Sequence, residues 1–300
     1  RAYASVVHDG TDPSTEGAAL MATYTLQRWA PICLLAIALF IAKTAGAQSL
    51  NFMDQKSDAP VEIEADQGIE WRSKEKTYTA RGNAVAKQGD SSIGADTLVF
   101  YTGSDDSSFD RILATGNVKV ISGSSVGYGD KGDYNATEKL LLLTGGNLKI
   151  TSDNDTVTAR DRIEYWTGRN AITAIGNAVV VREDTRINGD KATLYFADDA
   201  EGKSKLSQIE ADGKVKVLNN GQTIYANHFA YNPDTDIALM TGDVRIVDGE
   251  NEYRGQRAEI DNKRKISRIL GGGQRVLAPI DADGPRINGI AGGIAQVGPR

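Results

Sequence analysis

One short phrase recurs about seven times between Pro60 and Leu277, and it constrains this 300-residue chain more than any other feature. Six copies carry a clear second half: Gly82-Asn83-Ala84-Val85-Ala86, Gly116-Asn117-Val118-Lys119-Val120, Gly146-Asn147-Leu148-Lys149-Ile150, Gly176-Asn177-Ala178-Val179-Val180, Gly213-Lys214-Val215-Lys216-Val217 and Gly242-Asp243-Val244-Arg245-Ile246. Their glycines are 34, 30, 30, 37 and 29 residues apart. A first half precedes most of them: a small residue, usually Asp, then alternating apolar residues, as in Ala95-Asp96-Thr97-Leu98-Val99-Phe100. Self-similarity at such a period marks a solenoid, propeller or array. Each phrase reads as a pair of β-strands. Function is therefore expected along a surface or groove rather than in one catalytic pocket.

Alternation by two places Ile112, Ala114, Gly116, Val118 and Val120 on one face, with Arg111, Asn117 and Lys119 opposite. The same parity assigns Leu140, Leu142, Gly146, Leu148 and Ile150 to one face, and likewise Ile172, Ala174, Ala178 and Val180. Polar turn formers such as Asn219-Asn220-Gly221 and Asn232-Pro233-Asp234 join the strands. No long window after Ala47 has a helical period. A mid-strand glycine is costly, so one at the same register in every repeat predicts a bulge where the sheet folds over. The expected fold is all-β: about 14 antiparallel strands from roughly seven repeats of about 30 residues, folded over an apolar interior. Its edges would be the strand Val61–Ile69 and one near Ile266–Leu277, natural joints for strand addition from another chain.

The ends read differently. Residues 1–20 look like an upstream extension. Residues 21–47 read as a secretory signal: Arg28, an apolar run Trp29–Ala42, then Ala45-Gly46-Ala47 as the cleavage site. The run is about 14 residues, short for a membrane span of roughly 20. The single cysteine, Cys33, lies inside it, so the exported chain would hold no disulfide and do no thiolate chemistry. Residues 48–60 read as a leader, 61–280 as the repeat domain and 281–300 as a flexible Gly/Pro-rich tail. The segment removed is charge-balanced, so the net charge of -6 remains and argues against nucleic-acid binding, which needs a basic stripe.

Other motifs point to structure. Gly127-Tyr128-Gly129-Asp130-Lys131-Gly132 fits G-x-G-x-x-G but has no helix after it, as a dinucleotide site requires. His228 has no second histidine or cysteine for a metal site. Asp105-Asp106 and Asp153-Asn154-Asp155 lack the spacing of a calcium loop. The recurrent Asp66, Asp96, Asp130 and Asp190 fit corner residues accepting backbone hydrogen bonds better than paired catalytic carboxylates. Asn262-Lys263-Arg264-Lys265 with Arg268 reads as a solvated hairpin turn. No cofactor is expected.

The A-D-x-[apolar]-x-[Tyr/Phe] and x-G-N-V-x-V units over about Val61 to Leu277, with the signal segment and the acidic chain, resemble the LptA/OstA family of periplasmic lipopolysaccharide-transport proteins. The resemblance implies an elongated, open β-jelly roll that holds the acyl chains of lipid A in an apolar groove. It also implies edge-to-edge joining with further copies, head to tail, and with partners: an inner-membrane extraction complex and an outer-membrane insertion barrel. Under it the inward rows would line the lipid path: Ile112, Val118, Leu142, Leu148, Ile163, Val180, Leu194, Phe196, Val215, Phe229 and Met240. Each buried methylene would contribute roughly 0.8 kcal/mol, with no catalytic residue needed. The competing view of these rows is a dry core packed on itself. Alternatives for the whole are a membrane-anchored partner of the same bridge, a parallel β-helix acting on polysaccharide, and a structural module assembled edge to edge.

Overall fold

The computed structural model describes residues 60–103, 109–152, 155–200, 204–273 and 275–277. The expected signal segment, the leader up to residue 59 and the tail from residue 281 lie outside the described residues, as do Asp105, Asp106, Asp153 and Asn154.

The strands are β1 (Glu62–Glu64), β2 (Ile69–Arg72), β3 (Thr77–Gln88), β4 (Ser91–Thr102), β5 (Phe109–Ser122), β6 (Ser125–Asn135), β7 (Leu140–Thr144), β8 (Lys149–Ser152) and β9 (Asp155–Thr158). Then come β10 (Arg162–Trp166), β11 (Ala171–Arg182), β12 (Thr185–Asp198), β13 (Ser204–Asn219), β14 (Gln222–Asn232), β15 (Ile237–Asp248), β16 (Asn251–Asp261) and β17 (Ile266–Leu270). A 3-10 turn, Thr167–Arg169, is the only helical piece among the described residues.

All pairings are antiparallel, and most strands pair with the next in sequence. β1 and β2 instead share β3, which meets β2 with its first half and β1 with its second. β7 and β8 share β6 in the same way, and β9 and β10 share β11. β7 pairs with β10 and β8 with β9. Three rungs are thus broken in the middle, and the seventeen segments make fourteen rungs, the last of which, β17, pairs along only half of β16. The sequence period counts pairs of rungs, and a broken rung still fills its half of a repeat.

In the long strands the pairing slips at the recurrent glycine. Pairing slips between Arg81 and Ala84, Thr115 and Val118, Ile175 and Ala178, Asp212 and Val215, and Thr241 and Val244. Each slip spans the glycine and the residue after it. Gly116 has φ +80° and Asn117 φ +50°, two successive left-handed residues that turn the strand sharply. A Cβ on Gly116 would lie 2.1 Å from Asp96 Oδ2, so space as well as φ demands glycine. Asp96 is held there by Asn117, whose Nδ2 donates to both carboxylate oxygens at 3.1 Å. The expected backbone donor to the corner aspartates appears at Asp130, which accepts from Gly146 N at 2.6 Å. At Asp66 and Asp96 the donor is instead the corner asparagine's side chain, with Asn83 Nδ2 at 2.7 Å from Asp66. The left-handed asparagine swings its own amide over the corner.

The corners divide the sheet into two halves. Half-sheet I holds β2, β7, β10 and β17, and half-sheet II holds β1, β8 and β9, while the long strands cross from one to the other. Cross-strand pairs run as continuous inner rows. One row of half-sheet I passes through Trp71, Tyr78, Phe100, Ile112, Tyr134, Leu141, Tyr165, Ile172 and Leu194. One of half-sheet II passes through Ile93, Val120, Gly127, Ile150, Val157, Val180 and Ile187. Beside the corners the inward residues are small: Ala84, Ala95, Ala114, Ala174, Ala178, Ala192 and Ala211 are all buried. Small residues there and large ones farther out let the two halves close on each other at the fold line. A Cβ on Gly127 would sit 3.2 Å from Leu143 Cδ1, and one on Gly132 3.3 Å from Val118 Cγ1, contacts from one half-sheet to the other. The buried apolar residues of both halves form one cluster.

Candidate functional site

The interior between the half-sheets takes in ten of the eleven residues proposed to line a path, nine of them fully buried. Ile112, Ile163, Phe229 and Met240 have no exposed surface, and Val118, Leu148, Val180, Leu194 and Val215 have almost none. Phe196 is half-buried at the rim, where the β12–β13 pairing slips between Tyr195 and Phe196.

Leu142 does not belong with them. Leu141 and Leu143 are buried and Leu142 faces outward, paired across strands with Asp133 and Glu164. The cause is one extra residue. Between the flanking inward positions the other corners place three residues, as in Thr115-Gly116-Asn117, whereas this corner places four, Thr144-Gly145-Gly146-Asn147. A single inserted residue moves every side chain before it to the other face. The doubled glycine, Gly145-Gly146, is the signal in the sequence for this shift.

Leu141 and Leu143 also border a gap in the interior. A narrow cleft of about 10 Å³, partly open to solvent, is lined by Val120, Gly127, Leu141, Leu143, Ile150, Ile163 and Tyr165. It draws on both half-sheets and lies at the broken rungs β7–β8 and β9–β10. Gly127 opens it, because the same inner row carries Val120 and Ile150 on either side. The one polar atom contributed by a lining side chain is the Tyr165 hydroxyl. Tyr165 is 3% exposed, and its hydroxyl has no hydrogen-bond partner. Burial pushes this phenol's pKa up, and the neighbouring Tyr134 phenol adds to the shift.

The inner rows are uncovered at the first rung. Ile69 and Trp71 pair with the inward residues Ala80 and Tyr78, yet they are 48% and 63% exposed. Trp71 stacks on Tyr78 with ring centroids 5.8 Å apart, Tyr78 meets Phe109 edge-on at 6.2 Å, and Phe109 lies 5.0 Å from Phe100. This aromatic run leads from the open edge into the core.

Charge stays on the outer faces. Half-sheet I carries Glu70, Asp133, Glu164 and Glu259, answered by Arg72 at 2.8 Å, Arg111 at 2.6 Å, Arg162 at 2.7 Å and Arg268 at 2.8 Å. The Arg72 and Arg81 guanidiniums hold the Glu70 carboxyl below the ordinary range. On half-sheet II, Lys149 lies over the Tyr128 ring at 5.2 Å and Arg245 over Tyr225 at 4.1 Å. His228 Nδ1 sits 2.7 Å from Asp212 Oδ1 on the outside. The Gly127–Gly132 segment lies within β6, and Asn262–Lys265 forms the β16–β17 turn, where Lys263 Nζ donates to the Asp234 carbonyl and Asn262 Nδ2 to Asp236 at 2.7 Å. Among the described residues no group of three or more His, Cys, Asp or Glu is arranged to hold a metal ion. The arrangement suits holding apolar matter inside a charged, water-facing shell.

A family profile described as "LptA/(LptD N-terminal domain) LPS transport protein" matches residues 62–171 and again residues 161–266. No curated protein matches the chain. Among solved structures, the chain is similar to LptH from Pseudomonas aeruginosa, described as the LptA-homologous periplasmic component of the lipopolysaccharide transport device. Identity is 15%, the match covers 55% of this chain and 98% of that one, and the TM-score is 0.25. The fold stands on the strand registers given above.

Proposed function

The chain belongs to the LptA/LptD N-terminal domain family of lipopolysaccharide transport proteins, and from that premise we propose that it is a periplasmic carrier. In this reading it holds lipopolysaccharide by its acyl chains between the two half-sheets and leaves the sugars and phosphates in water. It relays the lipid from an inner-membrane extraction complex toward an outer-membrane insertion barrel, with its open edges as the joints to partners or further copies. The observation that carries the reading is the interior itself: apolar rows continuous across fourteen rungs, with a cleft at the middle and Ile69 and Trp71 bare at one end. Acyl chains gain roughly 0.8 kcal/mol for each methylene removed from water, and a row of rungs offers that gain over more length than one pocket. Movement in one direction would be driven by the partners, and no reaction is proposed for this chain.

The test is photo-crosslinking. A photoreactive residue at Leu143, Phe196 or Trp71 should form adducts with lipopolysaccharide. The same residue at Leu142, on the outer face one place away, should not. A folded protein that yields no adduct from any inward position would overturn the carrier reading. The uncovered edges also suit a purely structural module assembled edge to edge. Polymers that form equally well with and without lipid, in a protein that takes up none, would favour that reading.

A further inference from the structure

We propose that the outer face of half-sheet II binds the phosphorylated saccharide of the carried lipid, through two sets of cations placed around Tyr128 and Tyr225. The proposal rests on the carrier reading and adds to it the side of the molecule on which the head group lies.

One outer row of this half-sheet runs by cross-strand pairing from Val85 on β3 to Arg254 on β16. It passes Lys119, Tyr128 and Lys149 and then, after three uncharged residues, Lys216, Tyr225 and Arg245. No carboxylate stands in it, although the chain carries a net charge of -6. Each tyrosine lies between two cations of the row. Lys149 Nζ is 5.2 Å from the Tyr128 centroid, and Lys216 Nζ and the Arg245 guanidinium are 5.8 and 4.1 Å from that of Tyr225. Tyr128 and Tyr225 stand at nearly the same distance from the starts of the two profile matches, at residues 62 and 161. Each matched stretch thus carries one cation–tyrosine–cation set.

An ordinary solvated sheet face mixes charges of both signs. Half-sheet I does so, with its arginines answered by Glu70, Asp133, Glu164 and Glu259. Lys119, Lys149 and Lys216 make no ion pair among the described residues. Arg245 stands directly opposite Arg254, and both turn to the single carboxylate of Glu252. Like charges facing each other across strands destabilise a sheet. A cationic row kept at that cost suits an anion from outside.

The margin of the same half-sheet identifies the anion. From Gln88 to Asn251 the last inward residue on either side of each turn is polar, as at Ser91, Ser122, Ser125, Asn219 and Gln222. Along β5 the inner face goes from Val118 and Val120 to Ser122 at the margin, and Lys119 lies on the other face. Three residues separate Ser122 from Lys119, roughly 10 Å of strand. Apolar inside, polar at the margin and cationic outside is the order of an amphiphile whose chains lie within and whose phosphorylated sugars fold back over the edge. A flat anionic membrane matches it less well, because a twisting row leaves any plane within a few rungs, whereas a saccharide chain can follow it.

The experiment compares wild type with two double variants. One, Lys119→Gln/Lys149→Gln, lies on the row. The other, Lys131→Gln/Lys191→Gln, removes two exposed cations from half-sheet I beside the corner. The probes are the saccharide of lipopolysaccharide freed of its acyl chains, the same saccharide after phosphatase treatment, and vesicles of anionic phospholipid. Wild type should bind the phosphorylated saccharide, less tightly as salt rises, and the dephosphorylated one at least tenfold more weakly. The row variant should lose roughly three- to tenfold for the phosphorylated form, with its melting temperature unchanged. The half-sheet I variant should lose nothing. Equal binding by the two variants overturns the inference, as does wild type that ignores the phosphorylated saccharide. Vesicles bound more tightly than the saccharide, with the loss confined to the row variant, overturn it in favour of a membrane surface. In each of these cases lipid adducts from position 143 would keep the carrier reading standing. Absence of those adducts from every inward position sinks the carrier reading, and this inference with it.

Discussion

Gly116 is fixed twice over, by a φ of +80° and by the Asp96 carboxylate lying over its Cα. Gly116→Ala should therefore lower stability by about 1–3 kcal/mol, the usual cost of a strained backbone position, measured by urea denaturation. Part of that loss is the clash with Asp96. The same substitution in an Asp96→Ala background should cost less, a coupling that a double-mutant cycle would read directly. Such residues were legible in the sequence because glycine and its partner aspartate recur together. Leu142 was not. Within the run Leu140–Leu143 every residue is apolar, so composition gives no phase, and only the count of residues at the corner decides which leucines face in.

That count is a property of the element. β7 and β8 are one rung with an extra glycine at its corner, and the extra residue gives β7 the opposite parity. Deleting Gly146 should force one side to slip. Moving β8 would put Asn147, Lys149 and Thr151 inside, whereas moving β7 exchanges leucines for leucines, so β7 should move. In wild type a cysteine at position 142 should react quickly with a thiol reagent and one at 143 slowly. In the deletion variant the order should invert, with a stability loss of about 1–3 kcal/mol from repacking. Unchanged labelling rates would show that parity is set elsewhere. The broken rungs themselves escaped sequence reading because a gap at the corner leaves both flanking strands with normal alternation.

At the scale of the molecule the period was enough to give the architecture, since each rung leans only on its two neighbours and repeats the same corner. Stability should then be close to a sum of rung and neighbour terms. Removing residues 251–277, which hold β16 and β17, should leave a folded ladder with β15 as its new edge, lower in melting temperature yet still cooperative by circular dichroism. Collapse of the whole β-signal would refute the neighbour-only picture. What the period could not give was the cleft. It arises from Gly127, Tyr165 and the extra corner glycine acting together across two half-sheets, and no linear pattern joins them.

The family profile fits this chain twice, and the two fits overlap in β10 and the turn that leads into β11. Two stretches that each match the profile are therefore joined in a single ladder, with inner rows that run through the join. Separate carriers joined at their edges would have to meet, align and part, and each transfer would depend on how often they collide. Across this join there is no collision to wait for. The second stretch is always present beside the first at the high local concentration that a covalent link enforces. Under the proposed carrier function, a cargo crossing this stretch would meet a continuous track instead of a junction, and its pace there would be independent of how much of the protein surrounds it.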